Sequence, residues 1–280
     1  MPTTPKILVL DSGAGCLSIA KEISQLISHV DITCFADIAM FPYGTLSDEI
    51  LVARQVNLVS YLAPIVKPDL VVVACNTAST VALDALRNKF DMPFIGVVPA
   101  IKPAVKLTRS GAIGVLATPA TVKRPYTQQL IGEFADKTEV FMHGSNKLVL
   151  LSEQYIVSRN IDSSILKHEL NLLLKKSVKP IDVVVLACTH FPLLQQLLAN
   201  ENTDSSIQWV DSGRAIAQRA QFWLGELKLP TAGEHAKKLE LRFSGTKQSV
   251  LAAANNYANF AATYFARHQY KSIIVHTDDI

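Results

Sequence analysis

The sequence predicts an α/β protein made of two pseudo-symmetric α/β domains with mainly parallel sheets and an active site in the inter-domain cleft. Short apolar segments rich in Val and Ile alternate with helix-like segments, as in parallel sheets that are covered on both faces. Two segments about one domain length apart, Val71–Thr77 and Val184–His190, resemble each other. Nearly all the unusual polar residues follow an apolar segment, which is where ligands bind in such sheets.

Each predicted strand is a short apolar segment followed by a polar loop and an apparent helix. The predicted strands are Ile7–Leu10, Leu70–Ala74, Phe94–Val98, Ile113–Leu116 and Val183–Ala187. The predicted helices are Leu17–Leu26, Ala78–Phe90, Ala100–Leu107, a helix opened by Thr118 and Thr121, and Phe191–Ala199. Because the carboxyl ends of parallel strands meet at one edge of a sheet, the intervening loops are the expected places for chemistry.

The domain boundaries follow from the repeated segments and from breaks between them. The tripeptide Asp-Ser-Gly at residue 11 recurs at residue 211. Pro99 suggests a crossover near residue 98, and Asn200–Ser206 suggests a return near residue 207. We therefore expect a first domain of residues 1–98 plus 207–280 and a second of residues 99–206.

Composition and charge exclude several classes of protein. Of 280 residues, 49% are hydrophobic and 18% are charged, which argues against intrinsic disorder. The net charge of +3 is spread along the chain, so we expect no nucleic acid and no membrane partner. Only four apolar residues, Ile7–Leu10, precede Asp11, fewer than the roughly 7–15 of a signal peptide. We expect a cytoplasmic protein, in which a disulfide scaffold is a poor explanation for four cysteines.

Cys75 and Cys188 are the strongest candidates for chemistry. Each follows a predicted strand and precedes an apparent helix, whose N-terminus favours a thiolate. Cys188 and His190 alone are a weak zinc signature, and we expect no metal. A nucleophilic Cys188 assisted by His190 would leave Cys75 without a role. Two acid/base groups on opposite faces of one carbon would use both thiols.

The other polar candidates each have a functional and a structural interpretation. Asp11, beside Ser12, could assist a thiol, pair with a substrate ammonium or cap a helix. Thr118 and Thr121 could bind a carboxylate at a helix N-terminus or only cap that helix. Tyr43 lies in a loop with turn chemistry. Lys and Arg are absent from the cysteine, Asp-Ser and Tyr-Gly loops, so hydroxyls, amides and backbone N–H groups must bind any anion there.

Six motifs occur in order along the chain. They are Asp11-Ser12-Gly13, Pro42-Tyr43-Gly44, Cys75-Asn76-Thr77-Ala78-Ser79, Gly96-Val97-Val98-Pro99-Ala100, Gly114-Val115-Leu116-Ala117-Thr118 and Cys188-Thr189-His190-Phe191-Pro192-Leu193-Leu194. Together they resemble the glutamate racemases of the cofactor-independent aspartate/glutamate racemase superfamily. The resemblance runs from about residue 6 to about residue 225, and the stretch after about residue 230 resembles nothing that we would name.

The resemblance implies racemisation of L-glutamate and D-glutamate without a cofactor. It implies that Cys75 and Cys188 donate and accept the proton, that Asp11 assists Cys75, and that His190 and Glu153 act on the Cys188 side. With the two threonines above, the expected substrate-binding residues are Asp11, Ser12, Pro42, Tyr43, Gly44, Asn76, Thr77, Thr118, Thr121, Thr189 and His190.

The resemblance also implies a biological role. D-glutamate is a building block of bacterial peptidoglycan, which implies supply of cell-wall precursors and a part in cell shape. The expected partner is glutamate as a small-molecule substrate, and the chain could form a homodimer. Two alternatives stay open: an aspartate racemase or related isomerase with the same thiols, and a non-catalytic amino-acid-binding module.

Overall fold

The computed structural model describes residues 4–202, 207–231, 238–245, 247–265 and 272–278. The chain divides into two compact units, one of Met1–Val97 with Gly213–Ile280 and the other of Val98–Ser212. Each unit contains one sheet, and the paired strands within both sheets run parallel. The predicted α/β class with mainly parallel sheets is confirmed.

The first unit is built on a six-stranded sheet. Its strands are β1 (Lys6–Asp11), β2 (Asp31–Ala36), β3 (Leu70–Val73), β4 (Phe94–Gly96), β9 (Lys238–Ser244) and β10 (Ser272–Asp278). They lie in the order β10-β9-β2-β1-β3-β4. Helices cover this sheet, so the central strands β1 and β3 have continuous apolar sequences with almost no exposed side chain after Lys6, as expected for a parallel sheet.

The described part of the first unit also contains five helices and two short turns. They are α1 (Gly15–Leu26), α2 (Asp48–Val66), α3 (Asn76–Lys89), α10 (Gly213–Glu226), α11 (Lys247–Tyr264) and the 3₁₀ turns Ile38–Met40 and Tyr43–Thr45. In the described part of the chain, α2 alone is long and apolar enough to cross a membrane by length and composition. This is weak evidence for a span, because one face of α2, including Leu51, Leu58 and Leu62, is buried in the core of the unit.

The second unit is built on a four-stranded sheet in the order β6-β5-β7-β8. Its strands are β5 (Ala112–Ala117), β6 (Glu139–Gly144), β7 (Val183–Ala187) and β8 (Gln208–Val210). Its helices are α4 (Ile101–Leu107), α5 (Pro119–Lys123), α6 (Pro125–Phe134), α7 (Asn146–Ser158), α8 (Ser163–Leu174) and α9 (Gln195–Glu201), with a 3₁₀ helix at Phe191–Leu194. A buried cluster including Ile113, Val115 and Val185 packs one face of this sheet.

The two sheets share one topology. The order β2-β1-β3-β4 in the first sheet corresponds to β6-β5-β7-β8 in the second. Cys75 comes after β3 and Cys188 after β7, so the two cysteines occupy equivalent places in the two units. The strands β9 and β10 extend only the first sheet, and they come from the C-terminal stretch for which the sequence offered no resemblance.

Two local features differ from the sequence-based predictions. β8 pairs with β7, so residues 208–210 lie in the second unit, beyond the expected return near residue 207; residues 203–206 lie outside the described part. The predicted helix Phe191–Ala199 is a 3₁₀ helix followed by α9. Pro192 lies at the start of that 3₁₀ helix. Cys188 therefore precedes a turn, and the prediction that it opens an α-helix is wrong.

Candidate active-site residues

The candidate residues of the first unit lie at the carboxyl edge of its sheet. The parallel register places Asp11 beside Ala36 and Ala36 beside Phe243, so the residues that follow β9, β2, β1 and β3 form one row. We call Asp11, Ser12, Tyr43, Cys75, Asn76 and Thr77 the first half-site. Their side chains are largely buried, with exposed fractions from 1% for Asp11 to 9% for Cys75.

Cys75 is the N-cap residue of α3. Its extended backbone ends β3, and its carbonyl accepts a hydrogen bond from the Ser79 N–H at 2.8 Å. Asn76 and Thr77 form the first turn of the helix, where backbone N–H groups lack partners within the helix. The positive end of the α3 dipole therefore lies next to the thiol, where it favours a negative charge.

Tyr43 is buried in the first half-site, and its hydroxyl is directed to a carboxylate. The hydroxyl donates to Oδ2 of Asp37 at 2.7 Å. Burial, then the charge of Asp37 and its hydrogen bond, then the charge of Cys75 raise the Tyr43 pKa well above its usual 10. The phenol therefore stays neutral at physiological pH. Pro42 and Gly44 flank it and are partly exposed.

Asp37 is a fully buried carboxylate held by three side chains. Arg54 donates to both carboxylate oxygens, from Nε at 2.8 Å and from Nη2 at 2.6 Å. Ser244 at the end of β9 donates to Oδ1 at 2.5 Å, and Tyr43 supplies the remaining bond. The hydrogen bond to Asp37 is the largest reason why the Arg54 pKa is raised. Asp37, Arg54 and Ser244 belong to none of the six sequence motifs, so the sequence alone did not point to them.

Asp11 closes β1 and organises the residue that follows it. Its Oδ1 accepts the Ser12 backbone N–H at 2.6 Å. Its backbone carbonyl accepts the N–H of Asp37 at 2.8 Å, which ties the ends of β1 and β2 together. The capping interpretation of Asp11 finds no support, because α1 begins at Gly15 after Ala14 and has no side-chain cap. Its proposed help to Cys75 stays a prediction.

The second unit has a different set of groups around its cysteine, and we call Cys188, Thr189, His190 and Glu153 the second half-site. The Cys188 Sγ lies 4.0 Å from Nδ1 of His190. The other ring nitrogen, Nε2, lies 2.8 Å from Oε1 of Glu153 on α7. Cys188, Thr189 and His190 are buried, whereas the Glu153 side chain is 20% exposed. A carboxylate that binds Nε2–H leaves the Nδ1 lone pair towards the thiol, so His190 can accept the thiol proton and, once protonated, stabilise the thiolate.

The helix α7 fixes the position of this pair. Ser145 caps it by accepting the Leu148 N–H at 3.1 Å. Ser152, one residue before Glu153, is fully buried, and its hydroxyl lies 2.9 Å from the Leu148 carbonyl and 3.2 Å from the His190 carbonyl. The backbone of His190 and its carboxylate partner are thus held by adjacent residues of one helix.

Thr118 and Thr121 interact with each other at the end of β5. Thr118 caps α5 by accepting the Thr121 N–H at 3.1 Å, and the two hydroxyls lie 2.9 Å apart. This is the capping interpretation, and α5 has only five residues. Their role in substrate binding stays a prediction.

Carboxylates elsewhere in the second unit support its loops. Glu169 on α8 binds His143 Nε2 at 2.8 Å. Asp182, before β7, accepts from the Thr108 hydroxyl at 2.5 Å and from the backbone N–H of Arg109 at 2.7 Å. Burial raises the pKa of both carboxyls, but their hydrogen bonds outweigh it and hold both values below the usual range.

A separate cavity of about 680 Å³ lies within the first unit. Its lining includes Arg87, Phe90, Arg219 and Trp223. The Arg219 guanidinium lies 5.2 Å from the centre of the Trp223 ring. The lining therefore combines guanidinium groups and aromatic rings with the carboxylate of Asp91.

No metal site or disulfide is evident in the described part of the chain. All four cysteines are described there, and none forms a disulfide. Among the described residues, no group of three or more His, Cys, Asp and Glu side chains could hold a metal ion.

Comparison with known proteins finds one family and many close relatives. The family model described as Asp/Glu/Hydantoin racemase matches residues 16–220. Glutamate racemase of Pectobacterium carotovorum subsp. carotovorum (strain PC1) is 44% identical over 230 residues, which are 82% of this chain and 80% of that protein. Glutamate racemase of Escherichia coli O139:H28 is 46% identical over 228 residues, covering 81% and 79%.

Solved structures are similar over nearly the whole chain. A crystal structure of Escherichia coli glutamate racemase in complex with L-glutamate and the activator UDP-MurNAc-ala has a TM-score of 0.83 and 38% identity, and covers 99% of each chain. Glutamate racemase isoform RacE1 from Bacillus anthracis has a TM-score of 0.81 and 26% identity, covering 99% of this chain and 98% of that one.

Proposed function

The chain belongs to the Asp/Glu/Hydantoin racemase family, and from that premise we propose that it interconverts L-glutamate and D-glutamate with two thiols and no cofactor. It is an isomerase, as its relatives are. The observation that carries the mechanism is the equivalent placement of Cys75 and Cys188, each after the third strand of the same four-strand pattern. The predicted identity as an amino-acid racemase is confirmed by the comparisons.

The proposed reaction removes a proton from one face of the α-carbon and adds a proton to the opposite face. The thiolate of one cysteine removes the α-proton, and the thiol of the other donates a proton to the opposite face. In the reverse direction the two groups exchange roles. This requires the two sulfurs to reach opposite faces of the same α-carbon, so neither cysteine alone can complete the inversion.

The carbanion needs neighbours that stabilise its charge. A free amino acid offers no electron sink, so hydrogen-bond donors around the α-carboxylate and exclusion of water must lower the barrier. Asn76 and Thr77 at the start of α3 supply backbone N–H groups and polar side chains, and Thr189 supplies a hydroxyl beside Cys188. We propose that Ser12 and these residues bind the carboxylate and ammonium of glutamate.

The two thiols have different assistants in this mechanism. His190, supported by Glu153, takes part in the deprotonation of Cys188, because Nδ1 faces its sulfur. On the other side, Asp11 assists Cys75. The neutral Tyr43 phenol beside Cys75 is not itself a base, since burial and Asp37 keep its proton on.

Exchange with heavy water tests the proposal directly. Purified protein incubated in deuterium oxide with L-glutamate should form D-glutamate that carries deuterium at the α-carbon, without added cofactor. D-glutamate should give labelled L-glutamate in the same way. Absence of incorporation from both enantiomers would contradict the mechanism. L-aspartate and D-aspartate in parallel reactions distinguish the aspartate racemase alternative, and binding without turnover would favour the amino-acid-binding module.

The cavity of the first unit supports a second proposal, that a bound ligand regulates the rate of the reaction. The E. coli relative binds UDP-MurNAc-ala as an activator. We propose that a uridine diphosphate ligand of this type binds here, with its phosphates on Arg87 and Arg219 and its base on Trp223. UDP-MurNAc-ala should raise kcat in the wild type and have less effect in Arg219→Ala. An unchanged kcat at saturating ligand would contradict this.

The cellular role follows from the product. D-glutamate serves bacterial peptidoglycan, so we propose supply of cell-wall precursors in the cytoplasm. A homodimer stays a prediction, which light scattering of the purified protein measures directly.

A further inference from the structure

We infer that Asp37 is a positioning residue that acts on Cys75 through Tyr43. Arg54 and Ser244 hold Asp37 in place, and Asp37 in turn holds the tyrosine beside the thiol. The inference deepens the proposed function and rests on the role of Cys75 in proton transfer.

The Asp37 carboxylate is held in one orientation by its burial and its hydrogen bonds. Its carboxylate has no exposed surface, and a buried charge is stable only when it is paired and hydrogen-bonded. The planar Arg54 group binds both oxygens in a forked geometry, which fixes the orientation of the carboxylate. Ser244 and Tyr43 each donate to one of the same two oxygens. Rotation of the carboxylate would break several of these bonds together.

Tyr43 connects the Asp37 carboxylate to the Cys75 thiol. Tyr43 and Cys75 belong to one buried hydrophobic cluster, and the 3₁₀ turn that carries Tyr43 packs against α3, which Cys75 caps. The charge of Cys75 also contributes to the raised pKa of Tyr43, which places the two groups near each other. The Tyr43 hydroxyl is bonded to Asp37, so its ring is held in one position in this cluster.

Ser244 brings a distant part of the chain into the same row of residues. It ends β9, which pairs with β2, and its hydroxyl also accepts the Ala39 N–H at 3.1 Å. Ser244 and Asp37 are 207 residues apart in sequence. Ser244 at the end of β9 thus supports the segment that leads from Asp37 to Tyr43, and through it the stretch after residue 230 contributes to the proposed positioning of Cys75.

Site-specific alkylation in the absence of substrate tests this inference. The wild type, Asp37→Asn, Ser244→Ala and a control Ser60→Ala are treated with iodoacetamide at one pH, and peptide mass spectrometry gives the rate at each cysteine. Ser60 is an exposed residue of α2 whose hydroxyl bonds only the Val56 carbonyl among the contacts described. Cys16 and Cys34 are buried outside the half-sites, so they report unfolding, and Cys188 reports the second unit.

We expect Cys75 alone to react about threefold faster or more in Asp37→Asn and, to a smaller extent, in Ser244→Ala, because loss of these hydrogen bonds releases the tyrosine. In both variants kcat should fall more than KM changes, while Ser60→Ala should match the wild type. If the alkylation rate rises at all four cysteines in Asp37→Asn, that variant is unfolded. The rates in Ser244→Ala then decide whether the inference holds.

An unchanged Cys75 rate in folded variants, or a rise at all four cysteines in Ser244→Ala, would overturn the inference. Its failure is separable from failure of the proposed function. Alkylation is measured without substrate, whereas absence of glutamate racemisation by the wild type would refute the function and leave the labelling result interpretable.

Discussion

The two half-sites have equivalent places in their sheets but different surroundings. Cys75 opens an α-helix and lies among apolar side chains with a neutral phenol nearby. Cys188 precedes a 3₁₀ helix and faces an imidazole that is bonded to a carboxylate. The shared topology accounts for the equivalent positions of the two thiols in their sheets, whereas the groups around each thiol differ.

The difference shows that a pseudo-symmetric fold does not need symmetric chemistry. In the proposed reaction the substrate is chiral, so the two thiols would act on different faces of it. A helix N-terminus favours a thiolate through unpaired N–H groups and the helix dipole. A histidine–carboxylate pair does so by supplying a base that can become positively charged. The helix N-terminus and the histidine–carboxylate pair are thus two different ways to favour the thiolate form of a cysteine.

Removal of either thiol should give the largest effect. Cys75→Ala and Cys188→Ala should each reduce racemisation by at least about 100-fold, because positioned acid/base groups contribute on that scale. Rates are measured by circular dichroism from both enantiomers. Cys16→Ala and Cys34→Ala are the matched controls and should keep most of the activity. Near wild-type rates in one active-site variant would show that its thiol takes no part in proton transfer.

Removal of the carboxylate behind His190 should give an intermediate effect. Glu153→Gln should lower kcat about 10-fold, because the neutral amide supports a positively charged imidazole less well than a carboxylate. The measurement is kcat and KM for both enantiomers, with the exposed Glu133→Gln as control. If Glu153→Gln and Glu133→Gln behaved alike, the second half-site would not depend on its carboxylate, and the contrast with the first would weaken.

Low pH should remove the stabilisation that the Asp182 carboxylate gives to the second unit. The folded Asp182 pKa lies below its unfolded value, so its stabilisation is present above the unfolded pKa of about 3.9 and is lost as pH falls through the folded value. Asp182→Asn should lower the free energy of unfolding by about 1–2 kcal/mol at neutral pH. This deficit should shrink below about pH 4.

Denaturant titrations of Asp182→Asn over a pH series measure that deficit. The exposed Asp136→Asn serves as control and should follow the wild type. A deficit that stayed constant down to about pH 2 would contradict the linkage between the Asp182 carboxylate and stability.

Ser152→Ala should give the smallest effect. The hydroxyl of Ser152 lies closer to the Leu148 carbonyl than to that of His190, so it contributes only part of one hydrogen bond to the His190 backbone. We expect kcat to fall about two- to fivefold, with little change in stability. Ser158→Ala, at the exposed end of the same helix, is the control. A loss as large as that of Glu153→Gln would mean that backbone placement, and not the carboxylate, dominates.

The places of the two cysteines at the ends of their strands could be predicted from local sequence. Cys75 and Cys188 each follow an apolar strand, and the alternation of strands and helices predicts where the carboxyl edges lie. The motif Cys188-Thr189-His190 puts a histidine two residues from a thiol. Boundaries were less accurate: β8 lies in the second unit, and the segment that directly follows Cys188 forms a 3₁₀ helix.

The sequence by itself determined which residues carry reactive groups and which strands they follow, since these depend on neighbours along the chain. Only the tertiary structure decided which distant groups support them. Asp37 accepts a hydrogen bond from Ser244, which lies on a strand near the other end of the sequence. His190 is paired with Glu153, which lies on the helix α7. Such pairs depend on the order of strands in a sheet and on the packing of helices over it, and no local spacing encodes either.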